Sequence, residues 1–185
     1  MQTYISILRG INVGGQRIIK MVDLKAMYED LGFSGVLTYI QSGNVVFRHE
    51  WSEQKEIEIK IENEIFRRYG FDAPVVVLNQ TELRQIISGN PLVTEANCDP
   101  SHLHVTFLSN APDPGKWEKI STGNYGTDEF ILADKTIYLC CSNGYGKTKL
   151  TNGFFEQKLG IAATTRNWRT TLELLQIAER ISSKE

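Results

Sequence analysis

Hydrophobic positions along the chain change period repeatedly. Residues 3–8 form a short buried-type strand run, after which Leu24, Met27, Tyr28 and Leu31 recur at helical spacing before Gly32, a helix stop. Residues 36–40 and 45–48 read as two short strands around the turn Gln41-Ser42-Gly43-Asn44. The stretch 51–69 fits strand alternation at Ile57, Ile59 and Ile61 and also a helix face at Ile57, Ile61 and Ile65. Its length and its many glutamates favour the helix. A strand over 74–78 and a short helix over 81–88, capped by Thr81, lead to Asn90-Pro91. The order is β-α-β-β-α-β plus one helix.

The second half repeats that order. A strand over 102–108 is followed by a Pro-rich loop over 110–115, which opens a short helix through Ile120. Strands over 129–133 and 136–141 flank Asp134-Lys135; a helix over 149–159 stops at Gly160; an extended run covers 161–165. Leu174, Ile177, Ala178 and Ile181 mark a closing helix. Residue identities scarcely match between the halves, so the repeat is one of element order. The expected fold is α+β: two ferredoxin-like halves (1–94 and 99–185), each followed by a helix, with antiparallel sheets, joined near 95–100 into one compact unit.

Composition narrows the picture modestly. With 41% hydrophobic and 23% charged residues over 185 positions, the chain is ordinary for a globular protein. A formal net charge of -2 ranks nucleic acid below a small ligand as partner, since phosphate backbones are usually met by a basic surface. The first apolar run ends at Arg9, without the basic flank of a signal or the length of a membrane span, so no membrane is expected. Cys98, Cys140 and Cys141 show no CxxC spacing and leave an odd count; the adjacent pair points to opposite faces of a strand. A reduced cytoplasmic setting is expected.

Topology places the candidate chemistry. In a ferredoxin-like half the first β-α loop and the central hairpin turn share one end of the sheet. This brings Arg9, Gly10, Asn12, Gly14, Gly15 and Lys20 beside Gln41, Ser42 and Asn44, with Arg17 adding charge. In the second half the rich loops follow the third and fourth strands: Lys147, Thr148 and Lys149 in one, Arg166, Asn167 and Trp168 in the other. Those strands run the same way, so both loops fall at the opposite end of their sheet, and an antiparallel packing of the halves would join the clusters into one cleft. Glycine-rich loops free backbone N–H groups, and Arg9, Lys147 and Arg166 add cations, a combination suited to an anion. The alternative at each place is structural: hairpin turns require Ser, Gly and Asn, Asn167 suits a helix cap, and Trp168 suits packing.

Several motifs here resemble a known family. RGINVGG followed by IKM, TYIQSGNVVF, the pair Asn90-Pro91, the Gly-Lys-Thr-Lys-Leu-Thr run from Gly146, and ATTRNW are together similar to the bacterial domain of unknown function 1697 family. The resemblance spans nearly the whole chain and implies a pair of ferredoxin-like units; it implies no activity. Thr148 stands where the family more often has serine, and the hydroxyl is kept.

Familiar reaction motifs do not fit. Cys141 occupies the first glycine of a phosphate-loop pattern, and Gly-x-x-x-Gly-Gly is not a dinucleotide fingerprint. His102 and His104 lie two apart with no third ligand at metal spacing, so no metal or cofactor is expected. No nucleophile–histidine pattern occurs, which leaves the catalytic residues unknown and makes electrostatic binding better supported than proton transfer. The function expected is binding of a small anionic ligand, phosphorylated ligands included. Behind it rank a nucleic-acid module stacking bases on Phe47 or Tyr138, and a protein-interaction domain.

Overall fold

The alternating runs of the first half become β1 (Gln2–Leu8), β2 (Ser34–Tyr39), β3 (Asn44–His49) and β4 (Val75–Asn79), separated by α1 (Met21–Asp30) and α2 (Gln54–Tyr69) and followed by α3 (Gln80–Ser88). The computed structural model describes residues 1–50, 52–94 and 98–183. It contains two compact units, Met1–Gln85 with Glu173–Glu185, and Ile86–Leu172. The first unit's sheet has the order β2-β3-β1-β4 with every neighbour antiparallel, the ferredoxin-like arrangement. One face of β1 presents Tyr4 and Leu8 to a core built with Phe47, with Leu24, Met27 and Tyr28 of α1, and with Ile57, Ile61 and Ile65 of α2. The isoleucines that fit a helix face in α2 are thus buried, as a helix requires. Tyr28 keeps its hydroxyl satisfied by Ser6 Oγ at 2.7 Å, and burial holds its pKa well above the ordinary tyrosine range.

Three local expectations shift. The hairpin turn occupies residues 40–43, and Asn44 is the first residue of β3, fully buried and paired with Ile7 and Tyr39. The cap of α3 is Asn79, not Thr81: Asn79 Oδ1 accepts from the Glu82 N–H at 2.9 Å and Glu82 returns the bond to the Asn79 N–H at 2.8 Å. This reciprocal box satisfies two otherwise orphaned donors. Helix α2 begins at Gln54, and Trp51, where the stretch was expected to open, lies outside the described residues.

Edge strand β4 would leave a row of outward N–H groups open. Helix α2 covers them: Glu62 accepts from the Val75 N–H at 2.8 Å and Glu58 from the Val77 N–H at 3.0 Å. Glu58 is 5% exposed, and its second oxygen meets Lys55 Nζ at 3.0 Å.

The second unit is built alike. After α4 (Pro91–Thr94) come β5 (Leu103–Leu108), α5 (Pro114–Ser121), β6 (Glu129–Ala133), β7 (Thr136–Cys140), α6 (Asn152–Leu159) and β8 (Ala163–Asn167), leading into α7 (Trp168–Ser182). The strand order is β6-β7-β5-β8, again antiparallel throughout. Leu108, Ile137, Leu139, Cys141, Leu150 and Phe155 are among the residues of its core. Edge strand β8 is covered by the same device, with Glu156 of α6 accepting from the Ala163 N–H at 3.3 Å. The expected link near 95–100 has 95–97 outside the described residues; Asp99 caps a 3₁₀ turn over Pro100–His102 that leads into β5.

Helix α6 starts later than its pattern suggests. Thr148 Oγ1 takes the Leu150 N–H at 3.0 Å and Leu150 is fully buried, so these residues form a turn, and Thr151 caps the helix instead. The cysteines also depart from expectation: Cys98 and Cys140, 42 residues apart, form a disulfide with a Cα–Cα distance of 6.2 Å, while Cys141 is free and buried. Spacing could not reveal the pair, because the β5–β7 ladder brings the two together. Among the described residues no helix is long and apolar enough to cross a membrane.

Removing the Glu58 carboxylate orphans a buried N–H. Glu58→Ala is expected to lower stability by about 1–3 kcal/mol, and Glu58→Gln, which keeps an acceptor, by less; urea denaturation checks both.

Candidate functional site

The loop between β1 and α1 is a miniature hairpin. Val13 and Gln16 form a bridge, with the Gln16 N–H donating to Val13 O at 3.1 Å. Between them Gly14 and Gly15 take φ of 60° and 74°, the backbone of a tight primed turn. Asn12 holds this loop in place. Its side-chain amide donates to Ile19 O and to Gln41 O, each at 2.9 Å, and its Oδ1 accepts from the Ile19 N–H at 2.9 Å. One carboxamide therefore joins the loop's two arms and ties them to the β2–β3 turn.

Gly43 completes the junction. Its carbonyl accepts from the Leu8 N–H at 2.8 Å, and it adopts φ of 74°. A Cβ there would lie 2.8 Å from Leu8 Cβ and from Ile11 Cδ1, so the two loops interlock only because this side chain is absent. The same turn forces Ile40 to φ of 48°, a costly conformation for a β-branched residue.

The expected juxtaposition of the two loops is thus present, and the residues divide by role. Asn12 and Asn44 are structural; Asn44 Nδ2 donates to Tyr39 O at 3.1 Å and to Ser42 Oγ at 2.9 Å. Gly10, Gly14 and Gly15 supply positive φ. Arg17 lies over Gly10, where its guanidinium would be 3.4 Å from an added Cβ. Lys20 and Gln41 are exposed, and Arg9 is half-buried. Val13, Ile18 and Ile40 are 65%, 55% and 50% exposed; Val13 follows Asn12 itself, while Ile18 and Ile40 adjoin Ile19 and Gln41, the residues that Asn12 joins. Isolated exposed apolar residues carry no periodic signal in a sequence, and a turn that begins one residue earlier than its pattern predicts takes Ile40 out of the strand.

The second unit's loops behave differently. Ser142 Oγ donates to Thr127 O at 2.9 Å and Gly144 takes φ of 85° before a 3₁₀ turn over Tyr145–Lys147. Tyr145 stacks on His104 with ring centroids 4.8 Å apart. Lys147 and Lys149 are exposed, but neither adjoins the first turn of α6, whose N-terminus Thr151 already caps. Asn167 ends β8 and caps α7 by accepting from the Thr170 N–H at 2.8 Å; Trp168 is 8% exposed. Arg166 is 9% exposed within β8, where its guanidinium donates to Thr164 Oγ1 and Thr165 O. It pairs with Val105 while Asn167 pairs with His104, so alternation sends Arg166 to the face opposite His104 and the stacked Tyr145 loop. Among the described residues no group of three or more His, Cys, Asp or Glu could hold a metal ion.

The family described as "Protein of unknown function (DUF1697)" matches residues 1–138. The chain belongs to this family. A solved structure similar to this DUF1697 chain is that of the conserved bacterial protein SP0830 from Streptococcus pneumoniae, with 21% identity, a TM-score of 0.76, and coverage of 96% of this chain and 98% of that one. At that identity the likeness is one of fold. No curated protein is measurably similar in sequence. The DUF1697 match includes the whole Asn12–Gly43 junction and ends at Tyr138, ahead of the 142–148 loop.

Gly43→Ala is expected to cost about 2–4 kcal/mol, from overlap plus backbone strain. Gly14→Ala, whose Cβ would meet nothing within 4 Å, is expected to cost about 1 kcal/mol. Equal costs by urea denaturation would refute the interlock. His104 supplies a pH test. Burial holds its pKa below the ordinary 6.5, helped by the charge of His102 and opposed by a bond to the His102 carbonyl. The folded state therefore binds fewer protons than the unfolded one; the contribution is whole above pH 6.5 and is lost as pH falls through the folded-state value. Melting temperature should decline from pH 7 to 5 more steeply in the native protein than in His104→Gln.

Proposed function

We propose that the chain binds a small anionic ligand, phosphorylated metabolites being the first class to test, on the paired loops of the first unit. The observation that carries the reading is the state of Arg17 and Lys20. Among the described residues neither has an ion-pair partner, and both stand in a loop that Asn12 and Gly43 hold fixed. Residues 1–22 and 31–49 contain no carboxylate side chain, in a chain whose net charge is -2. Local positive potential on a preorganised backbone suits an anion. The contact is assigned to side chains and not to the start of α1, since that helix carries Asp23 in its first turn. The strained Ile40 supports the same place, because backbone strain gathers at ligand sites.

Stacking of nucleic acid on the sheet is less well supported: Phe47 is fully buried against Tyr4, Tyr28 and Phe33, and the Tyr138 hydroxyl donates to Ile86 O. The exposed Val13, Ile18 and Ile40 favour a second reading, protein interaction through the same loops. With the main reading go a bacterial cytoplasmic setting and an origin by internal duplication, supported by the family motifs and by the shared strand order of the two sheets.

The test is a thermal-shift panel of nucleotides and phosphorylated metabolites on the full chain. At least one is expected to raise the melting temperature by several degrees, and Arg17→Ala with Lys20→Ala should weaken its binding about tenfold or more, in proportion to charge-assisted bonds of roughly 1.5–3 kcal/mol. If no compound shifts the melting temperature, anion binding fails and protein interaction takes its place.

A further inference from the structure

The 142–148 loop, rich in polar and basic residues, is rooted in two adjacent cysteines that face opposite sides of their strand. Cys140 ends β7 and is disulfide-bonded to Cys98; Cys141 enters the core and its thiol is hydrogen-bonded to Thr148 at the far end of the loop. Backbone bonds pin the same root: the Cys141 N–H donates to His102 O at 3.0 Å and the Gly144 N–H to Cys141 O at 2.8 Å.

The disulfide is not what pairs the strands it flanks. Neither Cys98 nor Cys140 belongs to the core cluster formed around Leu139 and Phe155. The strands it flanks are already paired in register from Leu103–Cys140 to Phe107–Thr136. Cys98 lies before the Asp99-capped turn that leads into β5, and it is half-exposed, whereas Cys140 is 5% and Cys141 0% exposed. Cys98 is therefore the more open partner for a dissolved thiolate, and the ladder pairing is made by bonds other than the disulfide.

We propose that Cys98–Cys140 is a reversible thiol–disulfide exchange site for low-molecular-weight thiols and their disulfides, and that its state sets how tightly the 142–148 loop is held. In the reducing direction a small thiolate attacks Cys98 Sγ, forming a mixed disulfide there and releasing Cys140 as thiolate. A second small thiolate attacks the outer sulfur of that mixed disulfide, releasing Cys98 thiolate and a small-molecule disulfide. The net change is two small thiols oxidised to one disulfide and one protein disulfide reduced to two thiols. The oxidising direction runs these steps backward, with the small disulfide as oxidant. Cys141 stays out of the exchange: it is fully buried, and burial together with Asp128 pushes its thiol up to about 11, the Thr148 bond opposing only in part. It is a built-in unreactive control.

The full chain is equilibrated with glutathione over a range of reduced-to-oxidised ratios, trapped with N-ethylmaleimide without denaturant, and mapped by mass spectrometry. Cys98 is expected to gain label as the reduced fraction rises, and Cys140, 5% exposed, to gain it in the same proportion once the trapped chain is unfolded. A glutathione adduct should appear on Cys98 at intermediate ratios, and Cys141 should be labelled only after unfolding. Amide hydrogen exchange over 142–148 should quicken at least threefold on reduction, while β5 and β7 amides stay unchanged. Cys98→Ser should match the reduced protein in that exchange pattern. Free thiols at both positions in excess oxidised glutathione would overturn the proposal, as would a bond that yields only on unfolding. Unchanged exchange over 142–148 would overturn the coupling to the loop. The reduction and exchange measurements on the native chain decide the matter even if the serine variant does not fold.

Discussion

The loop end of the first unit depends on a missing side chain. Gly43 lies where Leu8 and Ile11 leave no room for a Cβ, and its carbonyl takes the Leu8 N–H that ends the ladder. That contact sets the distance between the two loops, and the distance lets one carboxamide, Asn12, reach Ile19 on one side and Gln41 on the other. The positive φ of Ile40 follows from the same turn, and so does the exposure of a branched side chain at its tip. A loop held at so many points cannot relax around its own cations. Arg17 and Lys20 are therefore presented rather than absorbed.

The two units solve one topological problem with different residues. In each, the split β-α-β order leaves the last strand of the unit's sheet at an edge, and in each the preceding helix lays a glutamate along it: Glu58 and Glu62 on β4, Glu156 on β8. Sequence identity is not needed for this, only a carboxylate one helix face away from an outward N–H. Where the units differ is in what the free ends of their strands carry. The first unit gathers glycines and basic residues after β1 and β2. The second places a loop after β7, bound to its own neighbours through Thr127, His104 and Cys141.

Disulfide and thiol stand side by side in the second unit with opposite reactivity, and strand alternation is the cause. Adjacent positions on β7 and its continuation send Cys140 to one face, beside Cys98, and Cys141 into the apolar core. Likeness in fold to the Streptococcus pneumoniae protein adds nothing to that chemistry, because at 21% identity it speaks for the chain path alone.

Periodicity by itself determined the element order, the ferredoxin-like class of both units and the meeting of the 9–15 loop with the hairpin turn, because strand direction follows from topology once the elements are counted. It also separated Cys140 from Cys141. Tertiary structure decided the rest. Whether Asn12, Asn44 and Asn167 bind a ligand or a backbone is a question of three-dimensional partners, and all three bind backbone. Arg166 resembles a loop cation in sequence, yet the strand runs two residues further, through Asn167, and turns it toward the far face of the sheet. The start of α6 moved because Leu150 gains more by entering the core than by beginning a helix. Cys98 found Cys140 across 42 residues because a ladder, which no local spacing encodes, put them within one bond of each other.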